Sequence, residues 1–366
     1  MTAWLALSLM PDDGWRRAAL PLFEQGLVDA LEWSFDAVWD RVPPPWLPPL
    51  LEHYAAADRL WAHGVSFSPG SVDGSTRHDA WLARLAADRT IAGARGISEH
   101  LGFMVAGPHD AGAPLPLTDG AAAREVSTAN LMRLAQTTGM AVGLENLALA
   151  LHPDDVWRQG DLIAAVLAAV DGYYVLDLHN LWCQLVNFGL DAADVLANHP
   201  LARVTCVHLS GGSWWTPPGA TTAVRRDTHD DAVPQPLLEL FSRVLPWLPA
   251  LEVVVLERLG DTLRSERDAA GFEADVLAIR ERLAHATPSP PPFAAPRAPL
   301  ADDLDRARLG DWQHTLIDAS AHARDASDLR ARMLAALPWA AERIAALDGR
   351  GLAIAVALAQ RWSPTR

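Results

Sequence analysis

"DGYYVLDLHN", residues 171–180, begins as a buried strand and ends on an acid, an imidazole and an amide. Tyr173-Tyr174-Val175-Leu176 has the aromatic and β-branched content of a strand covered on both faces, as in a parallel sheet. If the extended conformation continues, Asp177 and His179 project from one side of it. A buried carboxylate costs several kcal/mol, on the order of magnitude of a whole domain's stability, unless it is paired or bound to a metal. The rest of the chain decides between those fates.

Working outward, similar apolar runs lie at 4–9 (WLALSL), 29–34 (DALEWS), 61–67 (WAHGVSF), 97–104 (ISEHLGFM) and 140–145 (MAVGLE). Beyond them come 173–179 (YYVLDLH), 203–209 (RVTCVHL) and 252–257 (EVVVLE). The stretches between them carry helical periodicity, as in "REVSTANLMRLAQTTG" and "PLLELFSRVLPWL". Strand and helix alternating eight times predict an α/β protein with a closed (β/α)8 TIM barrel. A doubly wound open sheet would show a glycine-rich phosphate loop after its first strand, and "SLMPDDGW" is not one.

The barrel is assigned to residues 1–286. A proline-rich linker, "TPSPPPFAAPRAP", follows at 287–299, and an all-α C-terminal extension fills 300–366. The extension reads as two or three Ala- and Leu-rich amphipathic helices that pack on the barrel or on a partner. The net charge of −15 disfavours a nucleic-acid partner, since no basic patch accompanies it. No apolar stretch is long enough to span a membrane, and "MTAWLALSLMPDDGW" lacks a basic segment and a cleavage site. Two cysteines, Cys183 and Cys206, imply no disulfide framework and fit a reducing cytoplasm.

Polar residues gather at the ends of the expected strands. They are His63, Glu99, His100, Glu145, Asn146, Asp177, His179, Asn180, His208, Asp227, His229 and Glu257. In an eight-fold barrel these ends converge on one mouth, where active sites of this fold sit. Singly, each has a plainer reading: a strand-end His is commonly a hydrogen-bonded structural residue, and Glu257 could pair with Arg258. Together, several imidazoles and carboxylates in one apolar cup demand a compensating charge that metal ions supply. A His/carboxylate set without a thiolate cluster points to iron, manganese or zinc. Six or seven ligands exceed the needs of one ion, so two or three ions bridged by a carboxylate are expected, with Asp177 among the ligands. His179 and Asn180 could instead only orient ligands. Cys206 reads as a buried structural thiol, and His109 as a surface residue of a Pro/Gly-rich loop. In "HLSGGSWWTPPG", Trp214 and Trp215 read as substrate contacts over the mouth or as ordinary exposed aromatics.

The ordered motifs "HGVSFSPG", "SEHLGF", "LENL", "LDLHNLWCQLVNFG", "VHLSGG", "DTH" and "LER" resemble the multinuclear non-heme iron-dependent oxidases typified by the methanobactin-biosynthesis oxidase. The resemblance covers roughly residues 1 to 285. It implies a TIM barrel holding two or three irons of mixed valence, with dioxygen as co-substrate and cysteines of a ribosomally synthesised precursor peptide as targets. It implies His63, His100, Glu145, Asp177, His208, His229 and Glu257 as iron ligands, with Glu145 bridging. Asn146, Asn180 and Asp227 would be ligands or their immediate supports, and Glu145, Asp177 and His208 the catalytic residues. A separate leader-binding partner protein is usual in the family, and a fused helical segment could share that task. One departure falls at the second strand, where the family carries a His and a Glu-Asn pair and "EWSFDAVWD" places Ser34 and Asp36.

Two other classes compete. A metal-dependent sugar isomerase or phosphodiesterase could use the same barrel, although the sequence contains no lysine for proton work. A non-catalytic peptide-binding scaffold would retain the barrel without needing the ligand set.

Overall fold

The computed structural model describes residues 3–107, 109–218, 220–291 and 304–362. Eight parallel strands close into a barrel: β1 (Trp4–Leu9), β2 (Ala30–Trp33), β3 (Leu60–Gly64), β4 (Gly96–His100), β5 (Ala141–Glu145), β6 (Tyr173–Asp177), β7 (Val204–Ser210) and β8 (Val253–Glu257). β1 pairs with both β2 and β8, which closes the ring. All eight lie where the apolar runs predict strands.

Alternation along the strands sorts the barrel interior into layers. Trp4, Ala6, Ala30, Trp61, Tyr173, Val175, Cys206, Val253 and Val255 form an apolar cluster of their own inside it. The rings of Trp4 and Trp61 meet edge-on with centroids 5.7 Å apart. Gly143 makes room for Tyr173: a Cβ there would lie 2.4 Å from its ring. One pleat further toward the C-terminal strand ends, the inward positions become Glu32, His63, His100, Glu145, Asp177, His208 and Glu257. The polar cup therefore stands on an apolar floor.

Three of the expected strands end two or more residues earlier, the third of them, β3, at Gly64. β6 stops at Asp177 because the Asp177 carboxylate accepts the Asn180 amide at 2.7 Å and caps the helix Leu178–Phe188. His179 and Asn180 thus stand on a helix, and their side chains no longer follow strand alternation. β4 stops at His100, and a hairpin follows, with arms Phe103–Ala106 and His109–Leu115. The Pro/Gly-rich stretch around His109 is consequently a hairpin arm rather than a loop.

Most of the proline-rich linker lies outside the described residues. The extension beyond it forms the helices Arg306–His322, Ala326–Ala336, Ala341–Ala346 and Gly349–Trp362, one or two more than expected. Leu309, Leu316, Leu329, Met333, Ile344 and Leu352 are buried and join the main apolar core. Helices Arg306–His322 and Gly349–Trp362 lie on the hairpin beside the barrel mouth. Buried Gln313 fastens them, donating to Gly70 O at 2.7 Å and accepting from Val72 N at 2.9 Å. Among the described residues no helix is long and apolar enough to cross a membrane.

Candidate metal centre

Strand register sets the first contacts of the cup. His100 is level with Glu145 on the neighbouring strand, and Asp177 with His208. Glu145 Oε2 lies 3.3 Å from His63 Nε2, 3.6 Å from His100 Nε2 and 3.6 Å from His208 Nδ1. Glu257 Oε2 lies 3.6 Å from His208 Nδ1 and 3.7 Å from His229 Nε2. Four groups have ligand atoms mutually close enough to hold an ion: His63/His100/Glu145, Glu145/Asp177/His208, Asp177/His229/Glu257 and, sharing His208, Glu32/Cys206/His208. Glu145 belongs to two of them, and so does Asp177. All seven residues expected as ligands are brought together.

The donor atoms suit metal ions rather than one another. Glu145 Oε2, Asp177 Oδ2, Glu257 Oε2 and His208 Nδ1 are buried without a hydrogen-bond partner. A buried polar atom left unpaired is costly, and four of them facing one volume is what a cation-binding cup requires. Their other atoms are firmly held. Asn180 donates to Glu145 Oε1 at 3.0 Å, and the Ser98 hydroxyl pairs with His63 Nδ1 at 2.8 Å. Asn146 accepts from Asp177 N and donates to Asp177 O, both at 2.9 Å, which fixes the end of β6. Asn146 thereby braces the Asp177 backbone.

His179 is occupied at both ring nitrogens. Nδ1 faces Asp227 Oδ1 at 2.9 Å, while Nε2 receives Arg225 Nε at 3.4 Å and lies 3.8 Å from Cys183 Sγ. It holds Asp227, whose Oδ1 also lies 2.9 Å from His229 Nε2. His229 itself adopts a left-handed backbone (φ 51°), a conformation uncommon outside glycine that histidine, like Asn and Asp, adopts more often than other residues. Trp214 and Trp215 sit on a short strand paired with Val224–Arg225, just ahead of Asp227. Trp214 is 52% exposed.

The strand-by-strand reading of the sequence overlooked Glu32. It is buried on β2, and its Oε2 accepts from His208 Nε2 at 3.0 Å across the barrel. That bond leaves Nδ1 of His208 as the nitrogen facing Glu145 and Glu257. Asp36, which stands where the family carries its second-strand pair, is turned into the β3 exit loop. There it accepts from Val65 N, Ser66 N, the Ser66 hydroxyl and Trp81 Nε1.

Burial and the facing charges together set the electrostatics of the cup: against burial, Glu32 and Glu257 hold His208, and Asp227 and Glu257 hold His229, well above the ordinary histidine range. Burial, reinforced by Asp227 and Glu257, pushes Asp177 up to about 8, and burial holds Glu145 well above the usual carboxylate range. Burial draws His63 well below its ordinary value and His100 down to about 4. In chelator-treated protein, Asp177 and Glu145 keep protons that the unfolded chain releases, so stability falls as pH rises toward about 8. His63 and His100 act in the opposite sense, but only up to the ordinary histidine value of about 6.5. The melting temperature of the stripped protein is therefore expected to drop between pH ~6.5 and ~8, and Glu145→Gln to flatten the drop. A melting temperature that climbs with pH across that window contradicts this account.

The fold and the cup define the class: a (β/α)8 barrel with overlapping His/carboxylate groups at its mouth. The profile of the RiPP precursor modification enzymes MbnB/TglH/ChrH matches residues 41–270, and the chain belongs to that family. A UPF0276 protein of Rhizorhabdus wittichii is 32% identical over 222 residues, covering 57% of this chain and 75% of that protein. Another, from Streptomyces avermitilis, is 28% identical over 239 residues, covering 63% of this chain and 47% of that one. Among solved structures, the IOLI protein with a bound zinc atom matches with a TM-score of 0.48 at 12% identity, over 77% of this chain and 98% of its own.

Proposed function

We propose that the chain is a dioxygen-dependent oxidase that modifies cysteine residues of a ribosomally synthesised precursor peptide, working with two or three irons. The observation that carries this reading is the position of Glu145. In a member of a precursor-modifying family, one carboxylate faces the His63/His100 pair and the Asp177/His208 pair together. His63, His100, Glu145, Asp177, His208, His229 and Glu257 would hold the ions, with Asp227 beside His229. Iron bound there would supply redox chemistry with dioxygen and a binding partner for a thiolate.

The chain's own groups do the remaining work. Asn180 and Asn146 keep Glu145 and Asp177 aimed into the cup, and His179 keeps Asp227 turned toward His229. The apolar floor keeps water from entering beneath the reacting groups. Trp214 and Trp215 flank the opening as substrate contacts. A leader-binding partner protein would deliver the peptide from the cytoplasm.

Glu32 has a testable share in this. A carboxylate on the far nitrogen of a ligating imidazole fixes its tautomer and orientation. Glu32→Leu is expected to weaken metal retention about 10- to 100-fold in chelator competition, and Glu32→Gln, which keeps an acceptor, to recover most of it. Equal retention by the Leu variant would reduce Glu32 to a packing residue.

The function itself is tested on anaerobically purified protein. Expected are two or three irons per chain and oxygen consumption that requires an added cysteine-containing peptide. Peptide mass spectra should show loss of hydrogens or of a carbon unit. Zinc with phosphate release would establish a hydrolase instead, zinc with sugar rearrangement an isomerase, and a metal-free protein that binds peptide a scaffold.

A further inference from the structure

The family profile ends at residue 270, so the C-terminal helices are outside the matched residues, yet they are docked beside the mouth. Between them and the loop that follows Trp215 lies a groove of about 520 Å³. That is within the range of roughly 300–1,000 Å³ found for sites that enclose small ligands. One wall is Trp215, Pro217, Pro218 and Thr222; the other is Ser327 with Ala353, Val356 and Ala357 of the last helix. We propose that this groove seats an extended, uncharged stretch of the precursor peptide, made of small and apolar residues and adjoining the cysteine presented to the cup.

Three observations carry the proposal. The middle of the helix wall, Ala353, Val356 and Ala357, is small-sided, between Arg350 and Gln360. The charges in the lining cancel: Arg350 is bound to Asp348 at 2.9 Å, and Arg324 stands beside Asp325 and pairs with Asp328 at 3.3 Å. A charged segment would find no net complement there. The tryptophan wall is also continuous with the cup. Trp215 pairs with Val224, Arg226 lies over the Trp215 ring at 5.2 Å, and the next residues are Asp227 and His229. From Val224, the pairing partner of Trp215, to Asp227 the chain spans at most roughly 11 Å. A peptide held against Trp215 thus has its neighbouring residues at the opening.

The inference rests on the proposed peptide substrate but not on oxidation of its cysteine. Two pools of short synthetic peptides, one with a central cysteine and one with a central serine, are offered anaerobically to the full-length, iron-loaded chain, and retained peptides are sequenced. Wild-type protein is expected to enrich small, apolar, uncharged flanks from both pools. Ala357→Trp on the helix wall and Thr222→Trp on the loop wall should each cut retention about tenfold or more, with iron content showing that both variants fold. Retention that survives both substitutions, retention confined to the cysteine pool, or no enrichment by wild type overturns the proposal. Groove-dependent retention of both pools without any oxidation of the cysteine peptides leaves the groove standing and removes the oxidase reading instead.

Discussion

Glu145→Ala is expected to remove more than one iron from the anaerobically purified protein, leaving at most a single ion per chain. Its Oε2 faces His63, His100 and His208 at 3.3–3.6 Å, so its loss takes a ligand from two adjoining groups at once. A residue serving a single ion would cost only that ion. The substitution also removes a buried carboxylate that is costly whenever no cation faces it. Metal-free Glu145→Ala should therefore melt no lower than metal-free wild type, apart from the small cavity it leaves. Loss of metal alongside intact folding separates ligation from structural damage. Elemental analysis showing full iron content in the variant would sink the bridging role.

Changing the target cysteine of a peptide substrate to serine is expected to abolish turnover. A thiol ionises near neutrality when a cation or a metal is at hand, whereas an aliphatic hydroxyl does not, and a thiolate is the better ligand. Holding that sulfur beside the oxidant turns a bimolecular oxidation into a positioned one, an effect that can reach roughly 7–11 kcal/mol of barrier. The chain's own thiols do not compete. Cys206 lies in the apolar floor and Cys183 inside the helix Leu178–Phe188, both fully enclosed, and burial pushes the Cys206 thiol up to about 12. Oxygen uptake and peptide mass are the readouts. Equal turnover of the serine peptide would rule out a thiolate as the group that starts the reaction.

The ring of strands was legible because each strand of a parallel barrel is buried on both faces and writes a short apolar run. Most of the cup was legible for a related reason. His63, His100, Glu145, Asp177, His208 and Glu257 end such runs, and charge at the end of a buried strand has few structural explanations. Glu32 does not fit that pattern. It lies inside "ALEW", and its partner is 176 positions away, so only the closed barrel reveals that it meets His208. Asp36 stands where the family carries its second-strand pair, and the backbone amides of Val65 and Ser66 after β3 draw it aside. The end of β6 was misread because Asp177 does two things at once, facing the cup with one oxygen and capping a helix with the other. The hairpin arm His109–Leu115, with its glycine and proline, resembles a loop until a helix covers it.

The floor of Trp4, Trp61, Tyr173 and their aliphatic neighbours makes the barrel a vessel with one doorway. In the proposed reaction gas, peptide and product would share the mouth, beside which the C-terminal helices are docked. Traffic would then be sequential: a modified peptide that lingered would bar the next molecule of oxygen as well as the next peptide. Departure of the product, more than the bond-making beneath it, is the step at which such a vessel would be expected to set its pace.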